Sequence, residues 1–145
     1  MSRPFSGAKV ALFVGPDLLC LERDHKPDIP WPGHWDLPGG GREGGESPET
    51  CVCRETLEET GLSLGPTDLA WRRAFDRPHG RVFFFAAHLG PDAAKRIVLG
   101  DEGCGWRLFE PDAYVAEPMA VPHLARQVAL YLEEMADPHR KTPRS

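Results

Sequence analysis

The chain has 145 residues, 41% of them hydrophobic and 27% charged, which is the size and balance of one soluble globular domain. No apolar run approaches the roughly 20 residues that a membrane-spanning helix needs, so we expect no membrane association. The net charge of −5 argues against a nucleic-acid polymer as partner, because surfaces that bind such polymers are normally basic.

Two apolar segments near the N-terminus predict a β-hairpin. Residues 8–14 and 18–22 have strand character, and Gly15-Pro16-Asp17 between them favours a turn. The first segment is too short for the core of a signal peptide, so we expect a cytoplasmic protein.

The cysteines do not have the spacing of a zinc site. No C-x-x-C pair occurs, and we interpret the thiols as small buried hydrophobes in a reducing compartment. The four are Cys20, Cys51, Cys53 and Cys104.

A long loop followed by a helix is predicted next. Residues 24–40 are rich in Pro, Gly, His and Trp, and long irregular segments in compact domains are often functional. Ser47 can cap the helix that begins at Pro48, because its side chain can accept from the free amides of the first turn. The helix should run to about residue 60 and end at Gly61.

The second half of the chain predicts three further strands and a helix. Residues 70–77 and 81–89 flank a turn, and the apolar run 82–86 indicates a strand buried on both faces. A shorter strand is expected at 104–109. A final amphipathic helix is expected at 122–136, because apolar residues recur there at helical spacing. These residues are Leu124, Val128, Tyr131 and Met135.

Three glutamates are expected on one face of the first helix. Glu55, Glu58 and Glu59 stand at positions i, i+3 and i+4, whereas the opposite side carries Val52, Cys53, Thr56 and Leu57. At a separation of ~6 Å and an effective dielectric constant of ~20, each pair of carboxylates costs on the order of 3 kcal/mol. A bound Mg²⁺ or Mn²⁺ would relieve this repulsion, since both prefer oxygen ligands. The alternative is a solvated acidic helix face.

The residues around the glutamates resemble a known motif. From Gly40 the sequence has five residues, Glu46, seven more residues, and then Arg-Glu-Thr-Leu-Glu-Glu-Thr-Gly-Leu over residues 54–62. This resembles the Nudix box, G-x5-E-x7-R-E-U-x-E-E-x-G-U, in which U is a bulky aliphatic residue. The departure is Thr56, which is similar in size to Val and can still pack. Residues 35–39 also resemble the family's usual approach to the box.

The resemblance implies a divalent-metal site and a hydrolytic reaction. Glu55, Glu58 and Glu59 would be the metal ligands, with the carbonyl of Gly39 as a further ligand. Water would attack one phosphorus of a diphosphate while a carboxylate acts as general base. Two residues are candidates for the general base, Glu58 and Glu102, a glutamate of a later loop. Glu55 is a further candidate catalytic carboxylate.

Other box positions would have structural roles. Glu46 and Arg54 resemble the pair that fastens the loop to the helix, with Arg54 orienting the glutamates. Gly61 would be a conformational requirement. Gly40 would also be required for the turn and would let the backbone come close to a ligand.

The substrate is expected to be a small nucleotide-like diphosphate. A basic residue at the position of Arg23 can hold substrate phosphate in MutT-like enzymes, and Lys26 is a second candidate. Aromatic side chains that could stack on a base are Trp31, Trp35, Phe75 and Phe83, with Trp35 assigned to substrate binding.

Substrate subgroups are distinguished only weakly by the sequence. A proline about this far after the box is associated with ADP-ribose hydrolases, and Pro78 lies 16 residues after Leu62. A MutT-like nucleoside triphosphate pyrophosphohydrolase is an alternative of at least equal weight. The absence of tyrosine from that region disfavours a dinucleoside polyphosphate hydrolase.

The resemblance also implies the architecture. We expect an α+β protein, an α/β/α sandwich with a mixed sheet, as a single Nudix domain over 1–145 with its core at about 5–136 and a frayed tail at 137–145. Relatives are often dimers, so a homodimer is a further expectation. The alternative function is a Nudix-fold sensor that binds a nucleotide without turnover.

Overall fold

The computed structural model describes residues 4–137. Within them the strands are β1 (Gly7–Val14), β2 (Asp17–Glu22), β3 (Trp35–Asp36), β4 (Gly39–Gly41), β5 (Leu69–Arg77), β6 (Gly80–Leu89) and β7 (Gly105–Phe109). The α-helices are α1 (Pro48–Thr60), α2 (Pro111–Ala116) and α3 (Pro122–Ala136), and short 3₁₀ helices span Pro66–Asp68 and Pro91–Arg96.

The seven strands in this part of the chain form one mixed sheet centred on β1. β1 runs parallel to β6 from the Gly7/Val82 pair to the Val14/Leu89 pair, and it pairs antiparallel with both β2 and β4. β2 also pairs with β3 and β7, and β5 pairs antiparallel with β6. This arrangement confirms the predicted mixed sheet.

Hydrophobic cores fill both faces of the sheet. Along β1, Val10, Leu12 and Val14 belong to the core beneath α1, whereas Ala11 and Phe13 belong to the core beneath α2 and α3. Successive side chains of a strand point to opposite faces, so one apolar strand supplies both cores. The α/β/α sandwich is therefore confirmed.

The predicted double burial of residues 82–86 holds for the middle of β6. Phe84 packs in the core with α3, while its neighbour Phe85 packs in the core with α1, and both are at most 1% exposed. β1 and β5 flank this strand, so neither face nor edge of its centre meets solvent.

The caps of α1 match the sequence prediction. The Ser47 side chain accepts from Thr50 N at 3.1 Å, Pro48 begins the helix, and Gly61 ends it in the left-handed region at φ 74°. Thr56 is fully buried and packs where an aliphatic residue was expected. The helix therefore buries one side against the sheet and leaves its glutamates on the other.

The elements differ from the predictions in several places. The segment expected as a loop at 24–40 contains β3 and the start of β4, and α2 was not predicted. Leu57, Met135 and Cys104 were expected inside but are exposed: the two helical residues face solvent, and Cys104 precedes β7 in the loop.

The expected frayed tail lies outside the described residues, except for Asp137. Within residues 4–137 no helix is both long enough and apolar enough to cross a membrane.

Candidate active site

A bidentate ion pair ties the loop before α1 to the helix. Arg54 donates from Nε to Glu46 Oε2 at 2.5 Å and from Nη2 to Glu46 Oε1 at 3.1 Å, and Nη2 also donates to the carbonyl of Gly41 at 2.9 Å. These hydrogen bonds lower the pKa of the Glu46 carboxyl to about 2. The structure thus brings together the two residues predicted as a structural pair.

The same guanidinium holds two of the helix glutamates. Arg54 Nη1 lies 3.1 Å from Glu55 Oε2 and 3.2 Å from Glu58 Oε1. Glu59 points elsewhere, and its Oε1 accepts from Gly39 N at 2.9 Å. The helix therefore presents all three carboxylates at one end of the sheet, with protein donors engaging each of them.

Six carboxylates line one cavity beside α1. It has a volume of about 520 Å³ and its acidic lining residues are Glu43, Glu55, Glu58, Glu59, Asp101 and Glu102. The loop at 100–103 therefore faces the helix, and it brings Glu102 to the same cavity as the box glutamates. We call this space the acidic cavity.

Burial perturbs Glu59 most among these acids. Loss of hydration raises the pKa of the Glu59 carboxyl to about 7, against the opposing effects of the Lys9 ammonium and the Gly39 amide. Glu55 contributes further repulsion. A cation placed among these oxygens would favour the charged form of Glu59.

The residues fit a hard divalent cation by their chemistry. The donor atoms are carboxylate oxygens, the ligands that Mg²⁺ and Mn²⁺ prefer. Gly40 has no side chain where the carboxyl group of Glu55 lies, and a Cβ there would come within 2.7 Å of it.

The carboxylates do not form a ready-made cage. Within residues 4–137 no three His, Cys, Asp or Glu side chains converge as a preformed metal cluster. The predicted further ligand, the Gly39 carbonyl, accepts from Lys9 Nζ at 3.2 Å. A bound ion would therefore take over oxygens that Arg54, Lys9 and Gly39 N now engage.

A buried ion network borders the cavity. Asp36 is 8% exposed and accepts from Lys9 Nζ at 3.0 Å and Arg23 Nη1 at 2.8 Å. Burial alone would raise the pKa of the Asp36 carboxyl, but the Lys9 ammonium and the Arg23 guanidinium lower it below its ordinary value. Sequence reasoning assigned no role to Asp36 or Lys9, although a lysine within an apolar strand is a signal of a buried polar contact.

Arg23 and Lys26 lie where a phosphate group could meet them. Both line a cavity of about 370 Å³, together with Glu59, Asp101 and Glu102. We call this space the mixed cavity, and it shares three acids with the acidic cavity. Cations and carboxylates that were far apart in the sequence thus face one another.

The four aromatic side chains predicted as candidates for stacking on a base lie in two different environments. Trp35 packs edge-on against Phe109 at 5.2 Å, and Phe75 and Phe83 pack against core residues. Trp31 instead lies on the surface and lines a different cavity. Its neighbours there include Arg23 and Asp36.

The family of the chain follows from a match that spans most of its length. The model of the NUDIX domain family matches residues 5–131, which include every element from β1 to most of α3. The chain belongs to the Nudix family.

Curated relatives of this Nudix chain are longer proteins. It is 35% identical over 98 residues to the octanoyltransferase of Myxococcus xanthus, covering 63% of this chain and 27% of that protein. It is 30% identical over 107 residues to the NAD-capped RNA hydrolase NudC of Chromobacterium violaceum, covering 74% of this chain and 38% of that protein. The chain therefore spans about a quarter to two fifths of the length of these relatives.

A solved structure matches the Nudix fold at nearly full length. The MutT protein of Methanosarcina mazei Go1 superposes with a TM-score of 0.73 at 20% identity, covering 94% of this chain and 99% of that one. At this identity the likeness establishes the common fold.

Proposed function

We propose that this Nudix chain is a divalent-metal-dependent hydrolase that cleaves the diphosphate linkage of a small nucleotide. The observation that carries the proposal is the acidic cavity, in which the box glutamates meet Asp101 and Glu102. Its neighbour, the mixed cavity, supplies Arg23 and Lys26 as donors for phosphate oxygens. Ligands for a cation and donors for phosphate oxygens thus lie side by side, as hydrolysis of a phosphoric anhydride with a metal ion can use them.

The metal proposal assigns Glu55, Glu58 and Glu59 as ligands for Mg²⁺ or Mn²⁺. A bound ion would neutralise charge on the phosphate oxygens and lower the pKa of a coordinated water. Members of the family generally use divalent ions. The Gly39 carbonyl is kept as a further ligand, in competition with Lys9.

The chemical step is the attack of a water oxygen on one phosphorus. The bond between that phosphorus and the bridging oxygen breaks, and two phosphate-bearing products leave. Glu58 or Glu102 would accept the proton of the attacking water. Glu58 has a side chain that is 58% exposed, which keeps it accessible to solvent.

Other features of the proposal are less specific. Gly40 leaves room for the carboxyl group of Glu55, and binding of substrate by Gly40 and by Trp35 stays a prediction. A single Nudix domain over 1–145, a homodimer and a cytoplasmic location also stay predictions. Turnover of a panel of substrates distinguishes a nucleoside triphosphate from an ADP-ribose-like compound as the substrate.

The decisive experiment compares turnover of a panel of nucleoside diphosphate compounds with Mg²⁺ and with a chelator. The native chain should release phosphate-bearing products only with metal, and Glu58→Gln and Glu59→Gln should each lower kcat by about 100-fold or more. Glu133→Gln is the matched control, because Glu133 is an exposed acid on α3.

Two results would contradict the proposal. Turnover that needs no metal and persists in the Glu59→Gln chain would show that the reaction does not depend on a divalent ion. Tight nucleotide binding with no turnover across the whole panel would favour a Nudix-fold sensor.

A further inference from the structure

The outer strand β5 leaves one of its edges open. It is the last strand in the order of the sheet, and among the described strands it pairs with β6 alone. Beyond the ladder with β6, residues 69–77 make no backbone–backbone hydrogen bond within the part of the chain that the structure describes. The carbonyl of Arg72 instead accepts from the side chain of Arg73 at 3.2 Å. An open edge of this kind carries donors and acceptors that a further strand can satisfy.

Seven residues of this edge are regular. β5 pairs residue by residue with β6 over 71–77, and the irregularity of the pairing lies earlier, between Leu69 and Trp71. A bulge bends and twists its strand, so the start of β5 fits poorly against a new partner. Pro78 follows the strand and has no amide hydrogen to donate. The segment that can accept another strand is therefore 71–77, with Ala74 at its middle.

Two opposite charges flank Ala74 on one face of the sheet. Arg72 and Asp76 are both exposed, and the ion pair of Arg72 with Glu49 of α1 places this face on the α1 side. Asp76 pairs with Arg81 of β6 at 3.0 Å. The side chains of Arg72 and Asp76 nevertheless keep 52% and 76% of their surface exposed, so each has room for a further contact.

A second copy of the chain supplies the complementary arrangement of these charges. When two copies of a strand pair antiparallel about a two-fold axis, positions equally far from the axis on either side lie opposite each other. With Ala74 on the axis, Arg72 lies opposite Asp76 of the second copy, and the symmetry makes this contact twice. Opposite charges directly across a pair of strands stabilise the pairing.

Neighbouring registers bring like charges together. Opposed residues must lie on the same face of the sheet, so the axis passes through a residue and not between two. With the axis at residue 72, 73 or 76, a charged side chain meets its own copy, and with the axis at Phe75, Arg73 meets Arg77. From 72 to 76, Ala74 is therefore the axis position that opposes no like charges, and it is also the middle of the regular segment.

The other face of β5 gains favourable contacts in the same register. Its odd-numbered residues face α3, where Arg73 pairs with Glu134 at 2.6 Å and lies 5.0 Å from the ring of Trp71. With Ala74 on the axis, Arg73 comes opposite Phe75 of the second copy. Trp71 comes opposite Arg77 in the same way. A guanidinium group beside an aromatic ring is a favourable contact.

The outer strand β7 lacks this complementarity. Among the described strands it pairs with β2 alone, and it has five residues with Arg107 at the middle. A two-fold axis there would place the Arg107 guanidinium opposite its own copy, and like charges in that position are destabilising. The charge pattern therefore favours self-pairing at β5 over self-pairing at β7.

We propose that β5 is a homodimer interface, in which the strand pairs antiparallel with β5 of a second copy and Ala74 lies on the two-fold axis. The two sheets then form one continuous sheet, and Arg72 and Asp76 form two symmetric ion pairs across the interface. This inference gives the predicted homodimer a defined surface. It involves neither the metal ion nor the substrate, so its failure and that of the proposed function are separate results.

A cysteine on the axis tests the register. In the full chain with Ala74→Cys, the two Cα atoms would lie about 5 Å apart, within the range of a disulfide. Cys104→Ser is included because Cys104 is an exposed native thiol. Ala70→Cys in the same background is the matched control, since Ala70 is an exposed alanine on the same face, yet its two copies would lie roughly 27 Å apart. Mild oxidation should link at least about 10-fold more of the Ala74→Cys chain into dimers.

A charge reversal tests the ion pairs. Sedimentation velocity of the native chain should show an equilibrium of monomer and dimer between about 1 and 500 µM. Arg72→Glu places like charges opposite each other twice and should raise the dissociation constant of the dimer by about 10-fold or more. Glu49→Gln is the matched control, because it removes the partner of Arg72 within the chain and should not weaken the dimer. Thermal unfolding shows whether each variant folds.

Three results would overturn the inference. A native chain that stays monomeric up to about 500 µM would do so, and this is also the result expected if another segment of the same chain covers the edge. Equal linking of the Ala74→Cys and Ala70→Cys chains would exclude the register. An unchanged dissociation constant in a folded Arg72→Glu chain would exclude the ion pairs, and if that variant does not fold, the two cysteine variants decide the question.

Discussion

One arginine contacts four acidic side chains around the acidic cavity. Arg54 lies within ion-pair distance of Glu43, Glu46, Glu55 and Glu58, and the hydrogen bonds to Glu46 and Glu55 raise the pKa of its guanidinium. Its planar fork makes the bidentate contact with Glu46, which the ammonium of a lysine cannot reproduce. A metal ion would compete with Arg54 only for Glu55 and Glu58, so the loop stays fastened when the ion binds.

Part of this site was predictable at the level of single residues. The motif spacing identified Glu46, Arg54 and the three glutamates because they are close in sequence and lie on one loop and one helix. The contributions of Asp36 and Lys9 were not predictable. Asp36 on β3 accepts from Lys9 on β1 and from Arg23 after β2, and no local pattern specifies those contacts.

The titration of His123 gives a prediction for stability against pH. The groups that face it are Arg77 from β5, Lys9 from β1, Arg126 from its own helix and Asp36 from β3, and together with burial they set its folded pKa at about 4. The unfolded chain binds a proton near pH 6.5, so the stability linked to neutral His123 is complete above pH 6.5 and is lost as the pH falls toward 4.

Urea unfolding of the native chain and of His123→Gln between pH 4 and pH 8 measures this effect. The free energy of unfolding of the native chain should fall more steeply below pH 6.5 than that of the variant. Parallel curves would show that His123 titrates normally in the folded chain.

Elements with their own start and stop signals were the ones that the sequence predicted well. α1 has Ser47, Pro48 and Gly61 at its ends, and the prediction of α3 at 122–136 is confirmed. β3 and β4 contain two and three residues, so they show no period, and they exist because they pair with β2 and β1. α2, with six residues, is also too short for a periodic signal.

The end of α1 provides a prediction at this scale. Gly61 adopts φ 74°, and a Cβ there would lie 3.2 Å from Val98 N and 3.4 Å from Arg96 O. Gly61→Ala should lower the free energy of unfolding by about 1–2 kcal/mol, because an L-residue is strained in the left-handed region.

Gly90→Ala is the matched control, since nothing lies within 4 Å of a Cβ at Gly90. Urea denaturation of both variants gives the comparison. An equal effect of the two substitutions would mean that the conformation of Gly61 is not what limits this helix end.

The charge of the whole molecule is unevenly distributed. The net charge is −5, and six carboxylates meet in the acidic cavity, whereas a cavity of about 340 Å³ at the start of α3 is bordered by Lys9, Arg23, Arg77 and one carboxylate, Asp36. This uneven distribution places the acidic groups beside α1 and most of the basic groups near the start of α3. The composition of the sequence indicated only the net charge and not its distribution over the molecule.

The carboxylates of the acidic cavity predict that binding of a divalent ion stabilises the whole fold. At a Mg²⁺ concentration 100 times its dissociation constant, the free energy of unfolding should rise by about 2.7 kcal/mol. The Glu55→Gln/Glu59→Gln chain should gain little from Mg²⁺, yet without metal it should be at least as stable as the native chain, because fewer like charges repel. Thermal unfolding in MgCl₂ and in NaCl of equal ionic strength measures both effects, and identical melting temperatures in the two salts would contradict the prediction.

The parallel pairing of β1 with β6 also has a consequence for how the chain is made. Gly7 meets Val82, so the first strand leaves the ribosome about 75 residues before its partner, a wait on the order of 4–15 s at 5–20 residues per second. During translation β1 can form its hairpin with β2, but its other edge stays unpaired until β6 emerges. A nascent chain halted before residue 82 would therefore expose an apolar strand edge to chaperones and to other nascent chains.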